Sequence, residues 1–97
     1  MTFEWDENKN AINQMKHGVD FLEASSVFYD DNAIMFDDPD HSDEEERFIL
    51  IGISRRAEIL VVVHCLRDSG STIRIISARK ATKAEKKQYF QRKRNGQ

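Results

Sequence analysis

Three closely spaced runs rich in β-branched residues dominate the second half of the chain. They read RFILIGIS over residues 47–54, EILVVVHCL over residues 58–66 and TIRIIS over residues 72–77. Runs of this composition are typical of β-strands. The connecting segments, RRA and RDSGS, are so short that they favour antiparallel hairpins over parallel crossovers. The sequence therefore predicts a small antiparallel sheet at the centre of the fold.

Two short helices are predicted before this sheet. Asp6 is a candidate N-cap for a helix that runs to about Lys16, and Gly18 ends it because glycine readily adopts the left-handed conformation. Asp20 and Glu23 match a capping box that opens a second helix. The apolar stripe of the first helix is Ala11, Ile12 and Met15, and the expected buried face of the second is Phe21, Ala24, Val27 and Phe28.

The remaining elements complete an α+β domain. Residues 3–5 alternate apolar and polar side chains like a short strand, and residues 33–36 form another short apolar run. Thr82 and Glu85 match a further capping box, which starts a C-terminal helix. The order β-α-α-β-β-β-β-α indicates a single domain over residues 1–97, in which two N-terminal helices and one C-terminal helix pack on the sheet.

Charge is distributed unevenly, although the formal net charge is only −2. Residues 20–46 contain eleven acidic residues and no Lys or Arg, whereas residues 47–97 contain thirteen Lys or Arg and three acidic residues. The basic half could supply an electropositive surface for nucleic acid, although its tail, residues 91–97, is expected to fray. No apolar stretch is long enough to span a bilayer, so we expect a cytoplasmic protein without membrane contact.

Several arginines are candidates for binding a phosphate group. Arg74 lies in the third strong strand, Arg79 follows just past its end, and Arg47 begins the first. If the sheet order brings the strands together, these guanidinium groups could converge on one side or edge of the sheet and grip a phosphate. They could equally be ordinary surface arginines that pair with the acidic segment at residues 37–46. On a regular strand Arg74 and Ile76 would share one face.

Other candidate residues have a structural alternative beside the functional one. Lys16 and His17 lie at the last turn of the first helix, where they could serve as a general acid and a cation or could simply cap the helix end. Glu58 could be a general base beside the arginines or a plain turn-end carboxylate. His64 is more typical of a half-buried structural histidine, and Cys65, the single cysteine, of a small core residue.

A metal site is the weaker interpretation of the acidic segment. Asp37, Asp38, Asp40 and His41 carry oxygen and nitrogen ligands at close spacing. They lack the spacing of an EF-hand, and the chain contains no HExxH or CxxC pattern. We therefore interpret the segment as a solvated loop and expect no metal or other cofactor.

Four segments together resemble the BrnT family of toxins, namely FEWDENKNAINQMKHGVDFLEAS, DPDHSDEEERFILIGIS, LVVVHCLRDSG and IRIISARKATKAEKKQY. The resemblance runs from about Phe3 to Tyr89 and implies a RelE-like fold and metal-independent RNA cleavage that arrests translation. It also implies a BrnA-type antitoxin, which neutralises the toxin in a 2:2 complex. That antitoxin supplies a ribbon–helix–helix domain, so operator DNA is bound only through it.

The reaction that the resemblance implies is attack of a ribose 2′-hydroxyl on the adjacent phosphate. The residues that it implies are Arg79 and Arg74 as phosphate stabilisers, Lys16 and His17 as acid or electrostatic groups, and Arg47 and Glu58 in support. An acidic sequence, with a pI near 5.9, is unusual for a ribonuclease toxin of this fold. The alternatives are a non-catalytic antitoxin-binding module acting in operon autorepression, a stand-alone nucleic-acid binder and a metal-dependent nuclease.

Overall fold

The computed structural model describes residues 1–39 and 46–95, and within them it contains five strands and three α-helices. The strands are β1 (Thr2–Glu4), β2 (Ile34–Asp37), β3 (Phe48–Ile53), β4 (Ile59–Arg67) and β5 (Thr72–Lys80), and the helices are α1 (Glu7–His17), α2 (Phe21–Ser26) and α3 (Lys83–Asn95). The predicted α+β class and the order β-α-α-β-β-β-β-α are confirmed. Asp40 and His41 lie outside the described residues.

The five strands form one sheet with the order β1-β5-β4-β3-β2. Strands β2 to β5 pair antiparallel, as predicted, while β1 adds to the outer edge of β5 in parallel orientation, so the complete sheet is mixed. Strand β5 is longer than predicted and continues to Lys80. Arg79 therefore lies inside the strand, opposite Val61, and not beyond its end.

Helices cover the two faces of the sheet at different places. On one side, named the α2 face, the buried Phe21 and Ala24 of α2 belong to the same core as Leu60 and Val62 of β4. On the other side, the α3 face, Tyr89 of α3 is buried among Ile34, Ile51, Ile59 and Val61. Alternate residues of β4 thus contribute to two separate cores. The buried face predicted for the second helix is confirmed.

The first helix buries polar residues instead of its apolar stripe. Ile12 and Met15 are 56% and 87% exposed, whereas Asn10 and Asn13 are buried. The reason is that backbone groups beside α1 need hydrogen-bond partners. Asn10 accepts from the N–H of Phe21 at the start of α2, and Asn13 lies at the edge of β5 beyond the end of β1. The side-chain nitrogen of Asn13 donates to the carbonyl of Ala78 at 2.8 Å, and its oxygen accepts from the N–H of Ala78 at 3.1 Å.

Asp30 accepts a hydrogen bond from backbone near the opposite edge of the sheet, as Asn13 does at the edge of β5. Strand β2 pairs with β3 only as far as Ile51, and the N–H of Ile53 beyond it donates to Oδ2 of Asp30 at 2.8 Å. The same oxygen accepts from the hydroxyl of Tyr89 at 2.7 Å, and Oδ1 accepts from the N–H of Asn32 at 2.9 Å. One carboxylate therefore links the edge of β3 to α3.

The helix ends follow the predicted caps with one exception. Asp6 caps α1, Gly18 ends it with a φ of 69°, and Asp20 caps α2 through a hydrogen bond from a backbone N–H. Glu23 does not complete the expected capping box of α2. Its carboxylate accepts from the hydroxyl of Ser54 at 2.8 Å instead, which joins α2 to the turn between β3 and β4.

Candidate active site along strand β5

A β-bulge in β5 determines the direction of its arginines. The register between β4 and β5 shifts by one residue after Ile75, so Ile76 is extra in the ladder. On β4 the partners of Arg74, Ser77 and Arg79 are Cys65, Val63 and Val61. Because these partners alternate regularly on β4, all three β5 side chains lie on the α3 face. The expectation that Arg74 and Ile76 share a face stays a prediction, because the bulged residue Ile76 has no partner on β4.

Arg79 is held in a fixed orientation by α3. Its two terminal nitrogens donate to the two carboxylate oxygens of Glu85 at 2.7 and 2.9 Å. The pKa of the Glu85 carboxyl is lowered from 4.5 to about 2, and the hydrogen bond from Arg79 is the largest cause. Burial acts in the opposite direction and raises this pKa. Glu85 also completes the predicted capping box with Thr82, since each side chain accepts from the other residue's backbone N–H.

The lowered pKa of Glu85 predicts a pH-dependent contribution to stability. Because the folded pKa lies below the unfolded value of 4.5, the stabilisation is complete above that value and is lost as the pH falls from 4.5 towards 2. At pH 7 we expect Glu85→Gln to lower the free energy of unfolding by about 1–3 kcal/mol. Urea titrations of both proteins should show this difference shrinking at pH 3.

The matched control for this prediction is Glu58→Gln. Glu58 pairs with Lys80 across 3.8 Å, and both side chains are well exposed, so its loss should change stability by less than about 1 kcal/mol. A stability difference for Glu85→Gln that is equal at pH 7 and pH 3 would contradict the assigned role of the Arg79 pair.

A basic groove lies between α1 and β5. It has a volume of about 180 Å³ and is lined by Lys9, Ile12, Asn13, Lys16, His17, Ile76 and Ser77. We name it the β5 groove. Lys9, Lys16 and His17 are exposed, and none of the described residues that line the groove is acidic. The buried Asn13 fixes its base by joining α1 to β5. An anionic group such as a phosphate is the ligand that this charge distribution favours.

The structure brings four of the six predicted site residues to β5. Lys16 and His17 line the β5 groove together with Ser77, and Arg74 and Arg79 lie on either side of Ser77 along the strand. Arg74 also donates to Glu4 on β1 at 2.9 Å, with its side chain 28% exposed.

The other two predicted residues lie apart from the groove. Arg47 precedes β3 and is separated from Arg74 by the whole of β4, although strand alternation assigns both to the α3 face. Glu58 precedes Ile59, a residue of the α3-side core, so alternation assigns it to the α2 face beside Lys80. It is therefore not beside the arginines.

Lys9 and Ser77 are groove residues that could take part in chemistry and that the sequence did not point to. Lys9 precedes Lys16 by seven residues, which is two helical turns, so the spacing alone could have placed them on one side of α1. Ser77 carried no such signal, because its direction depends on the bulge at Ile76.

The described part of the chain contains no cluster of side chains that could bind a metal ion. Within residues 1–39 and 46–95, no three His, Cys, Asp or Glu side chains lie close enough to hold a metal ion. None of the helices in these ranges is both long and apolar enough to cross a membrane.

Comparisons with known proteins point to one family. The family model described as "Ribonuclease toxin, BrnT, of type II toxin-antitoxin system" matches residues 5–85. The crystal structure of the ribonuclease toxin BrnT of Brucella abortus is similar to this chain, with a TM-score of 0.65 and 28% sequence identity. The alignment covers 86% of this chain and 99% of the Brucella chain. No curated protein sequence matches the chain.

Proposed function

Because this chain belongs to the BrnT family of ribonuclease toxins of type II toxin–antitoxin systems, we propose that it cleaves RNA in the β5 groove. Its family membership implies an antitoxin partner. The observation that carries the proposal is that Lys16, His17 and Ser77 line one groove. Along β5, Ser77 lies between Arg74 and Arg79. A toxin of this kind would arrest translation in the cytoplasm.

The proposed reaction is a transesterification within the RNA. The 2′-hydroxyl oxygen of a ribose forms a bond to the adjacent phosphorus, and the bond between phosphorus and the 5′ oxygen of the next nucleotide breaks. The proton of the 2′-hydroxyl passes to a base, and the leaving 5′ oxygen takes a proton from an acid. The products are a cyclic phosphate and a free 5′-hydroxyl, and the atoms balance without a metal ion or another cofactor.

The groove and the neighbouring positions of β5 carry side chains that fit the charges that this reaction develops. The pentacoordinate phosphorane is more negative than the starting phosphate, and Arg79 and Arg74 are the proposed groups that stabilise it. His17 is the proposed acid, because an imidazole ring in the groove could donate a proton to the leaving oxygen. Lys16 adds positive charge beside it. Arg47 and Glu58, outside the groove, remain supporting candidates.

Glu85 prepares Arg79 for this role. By accepting two N–H bonds it fixes the plane of the guanidinium group, and a third N–H of Arg79 donates to the carbonyl of Lys80 at 3.4 Å. A guanidinium group has five N–H donors, so two are left that a phosphate oxygen could accept from. A donor that is already oriented requires no rearrangement when negative charge develops.

We further propose that the antitoxin is of the BrnA type, with a ribbon–helix–helix domain and a 2:2 complex that binds operator DNA through the antitoxin. The alternative is a non-catalytic module that retains antitoxin binding and operon repression alone. Lys9, Lys16 and His17 line the groove, and Arg74 and Arg79 lie on the strand beside it. In a chain of net negative charge this local cluster suits a phosphate and favours the catalytic proposal.

Tightly induced expression tests the proposal, with growth followed and total RNA mapped for new 5′-hydroxyl ends. We expect growth arrest with discrete cleavage, and the purified chain should cut RNA equally well with and without EDTA. Normal growth and intact RNA, with soluble protein confirmed, would contradict cleavage and favour the binding module. Loss of cleavage in EDTA would contradict metal independence.

A further inference from the structure

A second groove crosses β2, β3 and β4, and its lining is mostly apolar where that of the β5 groove is basic. Its volume is about 320 Å³, and it is lined by Met35, Phe36, Asp37, Phe48, His64 and Leu66. We name it the β2–β4 groove. Asp37, Phe48 and His64 are register partners on three neighbouring strands, and their alternation with Val62 assigns them to the α2 face. The β2–β4 groove and the arginines of β5 therefore lie on opposite faces of the sheet.

Large apolar side chains of this groove remain in solvent. Met35 is 58% exposed and Leu66 is 49% exposed, although both lie on strands of a sheet whose neighbouring positions are buried. Contiguous apolar surface on a small protein marks contact with another molecule. A volume of about 320 Å³ is enough to take an apolar side chain of a partner, in the manner of an interface anchor.

The groove also contains a buried polar atom. His64, expected to be half-buried with its hydrogen bonds made, is 1% exposed, and its Nδ1 has no hydrogen-bond partner among the described residues. The rings of Phe28 and Phe48 pack against it, with centroid distances of 4.7 and 5.9 Å. Burial lowers the pKa of His64. A buried polar atom without a partner is costly, so a polar group on a bound molecule would be favoured here.

The charge around the β2–β4 groove identifies the kind of partner. Asp37 lines it, Glu46 is exposed close to the start of β3, and none of the described residues that line it is Lys or Arg. RNA carries a negative charge on every phosphate and would be repelled. A protein segment with an apolar side chain flanked by Lys or Arg would be attracted.

We propose that the β2–β4 groove is the docking site of the antitoxin and receives an apolar side chain from a basic amphipathic segment of it. The inference rests on the proposed function, because membership in a toxin–antitoxin family supplies the partner. Amphipathic segments bind apolar grooves through a few side chains on one face. The groove is on the opposite face of the sheet from Arg74 and Arg79. The antitoxin therefore binds the toxin through one contact, in the β2–β4 groove, and blocks RNA through another, near the arginines.

The test compares Leu66→Lys with Leu22→Lys, a matched control on α2 that is 52% exposed. The probe is the purified protein encoded by the reading frame adjacent to this chain. Leu66→Lys removes apolar contact and repels a basic partner. We therefore expect the Kd of the complex between this variant and the probe protein to rise by about tenfold or more. Leu22→Lys should leave the Kd unchanged, and Met35→Lys should repeat the effect of Leu66→Lys.

Separate readouts distinguish failure of this inference from failure of the proposed function. Affinity lost only in the groove variants supports docking, even if the parent chain cleaves no RNA. Unchanged affinity in both Leu66→Lys and Met35→Lys overturns docking, whatever the RNA shows. Affinity lost only in Met15→Lys on α1 also overturns it. A groove variant that changes the sedimentation of the free chain assigns the groove to a second copy and overturns the proposal.

Discussion

Replacement of Arg79 by alanine is expected to lower the single-turnover rate of RNA cleavage by about 10²–10³-fold, which is the usual effect of removing one oriented donor from a developing negative charge. Arg79 is the best oriented cation of the site, because Glu85 holds its guanidinium group at 2.7 and 2.9 Å. In cells the same change should abolish growth arrest at equal expression. The measurement is cleavage of a labelled RNA with enzyme in excess over substrate.

Three further variants separate chemistry from folding. Arg56→Ala removes an exposed arginine of the turn between β3 and β4 and should retain full activity. Arg79→Lys keeps the charge but loses the planar fork, so its rate should lie between those of the parent and the alanine variant. Glu85→Gln keeps Arg79 in the chain and should retain more activity than Arg79→Ala. Full activity in a folded Arg79→Ala protein would show that the central assignment is wrong.

Replacement of Asp30 by alanine is expected to lower the free energy of unfolding by about 2–4 kcal/mol, because its carboxylate accepts from three donors on three parts of the fold. The hydroxyl of Tyr89, on a residue that is 1% exposed, would lose its partner. Burial raises the pKa of Asp30, but the hydrogen bonds from Ile53, Tyr89 and Asn32 outweigh it and lower the pKa. Urea denaturation at pH 7 measures the loss.

The neighbouring Asp31 provides the control. It is exposed, and Asp31→Ala should change stability by less than about 0.5 kcal/mol. Tyr89→Phe should remove about 1.5–3 kcal/mol, and the double variant with Asp30→Ala should lose less than the sum of the two, because they share one hydrogen bond. Equal stability of Asp30→Ala and Asp31→Ala would refute the role given to Asp30.

Features with local signals could be predicted from the sequence. The β-branched runs and their short connections identified three strands and their antiparallel pairing. Asp6, Gly18 and Thr82 identified helix ends through chemistry that lies within a few residues of each end. Such signals depend on neighbours in sequence and not on the assembled sheet.

Features that depend on the assembled sheet could not be predicted in this way. The buried side of α1 is polar because Asn13 lies against the open backbone of β5 and Asn10 against the start of α2, and the sequence around Asn13 does not reveal the β5 backbone. The apolar residues Ile12 and Met15 therefore suggested the wrong side of the helix. The parallel pairing of β1 with β5 is equally non-local, since about seventy residues separate Thr2 from its partner Thr72.

The candidate site also has a part that local sequence could predict and a part that depends on the assembled sheet. Residue types that suit a phosphate identified Arg74, Arg79, Lys16 and His17, all of which the structure brings to β5. The direction of each side chain came from the register and the bulge, so Ser77 was missed. These site assignments remain predictions until the variants above are measured.

The extra residue at Ile76 allows two arginines five positions apart to lie on one face of a strand, because a regular strand would direct them to opposite faces. Deleting Ile76 would restore regular alternation with a spacing of four, and Ser77 and Arg79 would keep their β4 partners and the face that they share with Arg74. Straightening the bulge with Ile76 retained would instead turn Ser77 and Arg79 towards the apolar core under α2. Relatives that share the site should accordingly carry the two arginines either five positions apart with a bulge or four apart without one, and this pair of spacings is the signature to search for in genomes.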